Sequence, residues 1–267
     1  MTELHTERPE RRDVKDRIYY TRAYRRLPRP PALNVVAVIV LAVVLIALVF
    51  LFRSELSYVV AWFGWKTALL VGADAKLVST EFMWTSIYCV DSLAVYPTWT
   101  YAFISSLVCG VLLIVLPLIK KIPAPASYWF FYLILVQFVS SLFFLFFASY
   151  FPYTIFDYTS LYIKVELVMW MVIPVIVPMA VIVYPANFFH KFLLVTGTLL
   201  YSIVLGAMRM GILIMILEYG TIMFMAFAFF ILGALLDFVY ITGFFSLFMS
   251  RLAHDISGRK QIWRWLY

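Results

Sequence analysis

Apolar residues in this chain run in long unbroken blocks instead of alternating with polar ones. The first block, 34–52, reads NVVAVIVLAVVLIALVFLF and carries no charge. A hydrocarbon layer takes about 20 residues of helix at about 1.5 Å rise each, so the block is long enough to span one. Its valines would favour a strand in water. In lipid the backbone must satisfy its own hydrogen bonds, which selects helix. Comparable blocks at 101–119, 128–150, 163–184, 191–217 and 221–250 bring the predicted spans to six. Pro174 and Pro178 predict a kink in the fourth span. The last two spans form a hairpin turned at Glu218-Tyr219-Gly220.

The interval 53–100 breaks the pattern. SYVVAWFGWKTALLVGA is apolar but interrupted by Gly64 and Lys66, and reads as an interfacial or re-entrant helix with Trp62 and Trp65 at headgroup level. The following stretch, DAKLVSTEFMWTSIYCVDSLAVYPTWT, alternates enough to be extended and predicts a small extracytoplasmic cap. A short echo, TSIY at 85–88 and TSLY at 159–162, leaves an internal repeat open beside coincidence. The fold class is therefore all-α integral membrane. A basic tail at 1–33 precedes a six-helix domain at 34–250, and a second basic tail occupies 251–267.

Composition agrees. Hydrophobic residues make up 65% of the 267 and charged residues 13%, with a mean hydropathy of +0.96, which excludes a water-soluble globule. The net charge of +7 does not imply nucleic acid, because the basic residues flank the spans. Nine Lys or Arg lie in the first tail, and Lys120, Lys121, Lys191 and four residues from Arg251 onward fall on the same side. The opposite side receives Arg53, Lys66, Lys76 and Lys164. That asymmetry predicts a plasma (inner) membrane protein with both ends in the cytoplasm. The N-terminal tail would touch anionic lipid or hold a partner. No cleavable leader is expected, since about 30 polar residues precede the first apolar block.

Ionisable residues inside spans are costly and nominate sites. Arg209 lies in the fifth span, about eight residues and 12 Å below its outer end. It either clamps two helices or holds an anion in an outward-facing cleft. Glu166, some three residues into the fourth span, is the candidate partner. Asp237 falls about 24 Å down the last span, beyond the reach of Arg209, and would cap a polar pocket or lie near the inner headgroups. Cys89 in the cap could be a nucleophile if a base or cation activated it. Yet His5, His190 and His254 all fall on the cytoplasmic side, so an inert small residue is the alternative reading. Cys109 reads as helix packing. No metal-ligand spacing and no cofactor motif occurs, so neither metal nor cofactor is expected.

The last hundred residues resemble the exosortase/archaeosortase family of membrane cysteine transpeptidases. A helix VELVMWMVIPVIVPMAVIVYP is followed by the basic turn ANFFHK, by LLVTGTLLYSIVLGAMRMGILIMILEYG, and by AFFILG at 228–233. Arg209 falls where that family places its arginine. The family's cysteine position falls near Val168, its asparagine at Gly206 and its histidine or arginine at Phe229. The resemblance thus implies a member without its thiol chemistry, a binding or assembly subunit in protein export or surface-polymer (exopolysaccharide) biogenesis. Its partners would be other membrane subunits and an exported peptide or lipid-linked substrate. Two alternatives stay open: a transpeptidase or transferase using Cys89 with Arg209, and a small transporter whose path is lined by Arg209, Asp237 and Glu166.

Overall fold

The computed structural model describes residues 30–93, 95–119 and 123–257. Most of both basic tails, with Lys120 and Lys121, lies outside the described residues. Helix α1 (Ala32–Leu51) gives way after Phe52 to α2 (Arg53–Val71), and a hairpin follows, β1 (Ala75–Phe82) and β2 (Thr85–Ser92). Then come α3 (Trp99–Val115), α4 (Ala124–Phe147), α5 (Ile155–Val181), α6 (Phe188–Gly220), α7 (Met225–Phe230) and α8 (Leu236–Ser257). Six helices are long and apolar enough to cross a membrane: α1, α3, α4, α5, α6 and the combined run through α7 and α8. The protein is an all-α multi-pass membrane bundle carrying one small antiparallel hairpin.

The cap is the extended segment that alternation predicts. Ala75 pairs with Ser92 and Phe82 with Thr85, leaving Met83 and Trp84 as a two-residue turn. Both turn residues have positive φ (48° and 60°), as a tight hairpin of this twist requires. Neither is glycine, so the turn needs outside support. Arg53 at the start of α2 supplies it, donating to the Met83 carbonyl at 2.9 Å and to the Thr85 hydroxyl. Gly72, at φ +84°, closes α2 in a left-handed C-cap and turns the chain into β1.

The segment read as an interfacial or re-entrant helix is α2, and it is not one of the six helices long and apolar enough to span. It runs along α6 in close contact. A Cβ placed on Gly64 would lie 2.7 Å from Met210 Cγ, and one on Gly211 would lie 2.7 Å from Thr67 Oγ1. Small residues at these crossings let the two backbones approach, as is usual where helices pack in lipid. Trp65 also ties the hairpin to α2, its Nε1 donating to the Ala75 carbonyl at 3.0 Å.

Helix α5 begins eight residues before its apolar block. Thr154 and Asp157 form a capping box, which starts the helix at Ile155. Its polar first turns stay buried because the hairpin covers them: Thr159 donates to the Val90 carbonyl at 2.6 Å. Of the two echoing tetrapeptides, one is strand and the other helix, so the echo is not a structural repeat. Pro174 and Pro178 both lie inside one continuous helix. The turn between the last spans falls on Thr221 (φ 79°), one residue past the predicted Gly220. The last span is interrupted at a π-helical turn over Ile231–Leu235, where Gly233 leaves helical geometry (φ −92°, ψ −126°).

Close packing of α2 on α6 makes a direct prediction. Gly211→Val should lower stability by about 1–3 kcal/mol through overpacking against Thr67. Gly243→Ala, where an added Cβ meets nothing within 4 Å, should leave it unchanged or slightly raised. Denaturant titration in detergent micelles distinguishes them, and equal losses would contradict the close approach.

Candidate functional site: a buried arginine–carboxylate cluster

Three helices place their ionisable residues at one level. Arg209 lies eleven residues before the Gly220 end of α6 and Glu166 eleven after the Ile155 start of α5. At about 1.5 Å per residue both sit about 16 Å from the hairpin-side helix ends. Asp237 joins them from the first turn of α8. Arg209 is 0% exposed, Glu166 1% and Asp237 1%.

The guanidinium is shared among all of them. Its Nη2 donates to Glu166 Oε1 at 2.6 Å. Its Nη1 lies 2.8 Å from Asp237 Oδ1 and donates to the carbonyls of Leu232 at 2.6 Å and Gly233 at 3.3 Å. The last two contacts explain the break in the final span. Where a helix turns π-helical, backbone carbonyls lose their regular partners, and in lipid each unmet group is costly. Arg209 meets them. The fork of donors on a guanidinium suits such a many-sided role better than an ammonium does.

Room for Glu166 comes from Gly206, where a Cβ would stand 3.2 Å from Glu166 Oε2 and 3.1 Å from the Trp170 ring. Two tyrosines flank the cluster. Tyr162 donates to the Gly206 carbonyl at 3.3 Å, and Tyr240 donates to Ser202 Oγ at 2.6 Å. Among the described residues, Glu166 Oε2, Asp237 Oδ2 and Arg209 Nε have no hydrogen-bond partner.

Sequence reasoning found the pairing of Arg209 with Glu166 but placed both too near the helix ends, because it started α5 at its apolar block and ended α6 at Leu217. Asp237 is a correction: expected beyond the reach of Arg209, it stands 2.8 Å away. Counting 1.5 Å per residue along an unbroken last span overlooked the irregular turn at Gly233 and the length of the arginine side chain. The outward-facing cleft is also corrected. Arg209 is sealed in the bundle, and two carboxylates already face it, which disfavours an anion there. The sequence singles out Gly206 only as the place of the exosortase family's asparagine, and Gly233, Tyr162, Tyr240 and Ser202 were not anticipated. Gly206 and Gly233, two small residues in otherwise bulky blocks, were the available signal.

Cys89 lies on β2, fully buried. Burial pushes its thiol up to about 11, only partly opposed by a hydrogen bond with Ser160 and by Lys164. Ser160 precedes Glu166 by six residues of α5, about 9 Å along the helix, so the thiol does not belong to the Arg209 cluster. Cys109 is buried in α3, and both cysteines are free. Among the described residues no group of three His, Cys, Asp or Glu side chains could hold a metal ion.

No family model, curated protein or solved structure matches the chain, and nothing in these comparisons identifies an exosortase or archaeosortase relationship.

Removal of the cation alone should be severe. Arg209→Ala strands two carboxylates and two carbonyls in the bundle, and should cost about 3–5 kcal/mol as other broken buried pairs do. Arg209→Met combined with Glu166→Gln and Asp237→Asn removes all three charges and should recover most of that loss. Thermal unfolding of the purified variants in detergent reads the difference. A triple variant no more stable than Arg209→Ala would show that charge balance is not what holds the helices.

Proposed function

We propose that the chain is a non-catalytic subunit of a plasma (inner) membrane assembly, with both ends in the cytoplasm and the hairpin outside. One observation carries this reading: the intramembrane cation is consumed by internal bonds. The thiol that could serve as a nucleophile is buried, driven toward its neutral form and held apart from it. Reactive cysteines are partly exposed, whereas Cys89 is fully buried and its burial outweighs the nearby Lys164. The cation that catalysis would need free is thus spent on holding the bundle, and the thiol stays neutral and buried. What remains available to partners is the hairpin surface and the long apolar faces of α1 and α3. The orientation is supported by the distribution of Lys and Arg in the sequence. The setting, protein export or surface-polymer biogenesis, rests on the family resemblance alone.

A second reading, a small transporter, is favoured by the broken last helix beside the cluster, since discontinuous helices line many transport sites. It would require the Arg209 cluster to open.

Orientation is tested at the hairpin tip, where Trp84 is 95% exposed. Trp84→Cys should react with a membrane-impermeant maleimide in right-side-out vesicles, over a low background because both native cysteines are buried. Labelling in inverted vesicles alone would reverse the orientation. The non-catalytic role is tested by complementing a deletion strain. Cys89→Ala at normal protein level should restore the phenotype fully, and the chain should migrate in membranes gently solubilised by digitonin as part of a larger complex. Loss of complementation by a stably inserted Cys89→Ala would establish thiol chemistry instead.

A further inference from the structure

At the bundle end away from the hairpin, a cavity of about 320 Å³ opens between the start of α6 and the second half of α8. Its floor is apolar, with Leu194, Gly197 and Phe248, and its rim carries His190, Arg251 and Asp255. The volume lies in the range of small-ligand sites, which are mostly apolar with a few placed polar groups. Gly197 lies nine residues beyond the Phe188 start of α6, so the floor reaches about 14 Å into the bundle. A Cβ at Gly197 meets nothing within 4 Å, so the space beside it is open.

An apolar slot that begins at the helix ends and runs inward between two spans has the geometry of one lipid chain beside its headgroup. The rim specifies which headgroup. Arg251 and Asp255 lie four residues apart on α8, hence on one face, and offer one positive and one negative charge. Guanidinium recognises phosphate through paired donors, and a carboxylate recognises an ammonium. His190 adds a ring that can hydrogen-bond. The α6 start, whose Asn187 makes no side-chain cap, also borders the cavity and favours negative charge.

We propose that this cavity is a specific phospholipid site. It takes an acyl chain of phosphatidylethanolamine between α6 and α8, with the phosphate against Arg251 and His190 and the ammonium against Asp255. The site is independent of the Arg209 cluster and of the subunit reading. It would tie the ends of α6 and α8 together from outside the protein chain, on the face where the structure itself leaves a gap.

The test is native mass spectrometry of the full chain, delipidated in mild detergent. The chain is then offered phosphatidylethanolamine, phosphatidylglycerol and diacylglycerol with identical acyl chains. Wild type should retain one phosphatidylethanolamine, several-fold above either competitor. Gly197→Phe, which fills the slot, should lose it, while Gly197→Ala should keep it. Arg251→Gln should lower retention several-fold at an unchanged melting temperature, which keeps the test valid even if the bulky variant folds poorly. Retention by Gly197→Phe equal to wild type would overturn the site. So would diacylglycerol or phosphatidylglycerol held as well as phosphatidylethanolamine, or an Arg251→Gln variant indistinguishable from wild type.

Discussion

The bundle turns on a single guanidinium in its interior. Arg209 joins α5 through Glu166, α8 through Asp237, and the turn between α7 and α8 through the Leu232 and Gly233 carbonyls. A charge at this depth is tolerated only when opposite charges and hydrogen bonds surround it, and here both are present. The irregular turn in the last span and the arginine depend on each other. Without the turn, Nη1 would lack two acceptors, and without the arginine the freed carbonyls would face hydrocarbon or apolar side chains.

The rest of the architecture follows from keeping that interior closed. Gly206 leaves space for Glu166, and Gly64 with Gly211 lets α2 close over α6 beside Met210. The hairpin then covers the polar first turns of α5. Its own strained turn is held by Arg53, a second buried cation, whose hydrogen bonds among the described residues go to the Phe50 and Met83 carbonyls and the Thr85 hydroxyl. The two arginines do the same kind of work at two places, satisfying backbone groups that regular structure leaves unmet.

The spans were legible because length and apolarity are intrinsic to each segment. All six apolar blocks became helices, and the extended cap became a hairpin. What hydropathy could not supply was structure set by neighbours. Tyr158, Thr159 and Ser160 look like a loop by polarity, yet they are buried helix because β2 lies over them. The two prolines of α5 lie within one helix, whereas the last span leaves helical geometry at Gly233. There the partners of the freed carbonyls lie on another helix, and no local pattern reveals them. Arg209 and Glu166 could be paired from their depth and charge. Asp237 could not, because its distance depends on the irregular turn that the sequence conceals.

The central claim is that one cation is balanced by two carboxylates in a sealed site. A double-mutant cycle on Glu166→Gln and Asp237→Asn, followed by unfolding free energies in detergent, tests it most directly. Each single change leaves Arg209 one countercharge, whereas the pair leaves it none. The account predicts that the double variant loses more than the sum of the singles, with a coupling of at least about 1 kcal/mol, as for residues sharing one network. Additive losses would contradict a shared guanidinium, and the clamp would then have to lie elsewhere in the bundle.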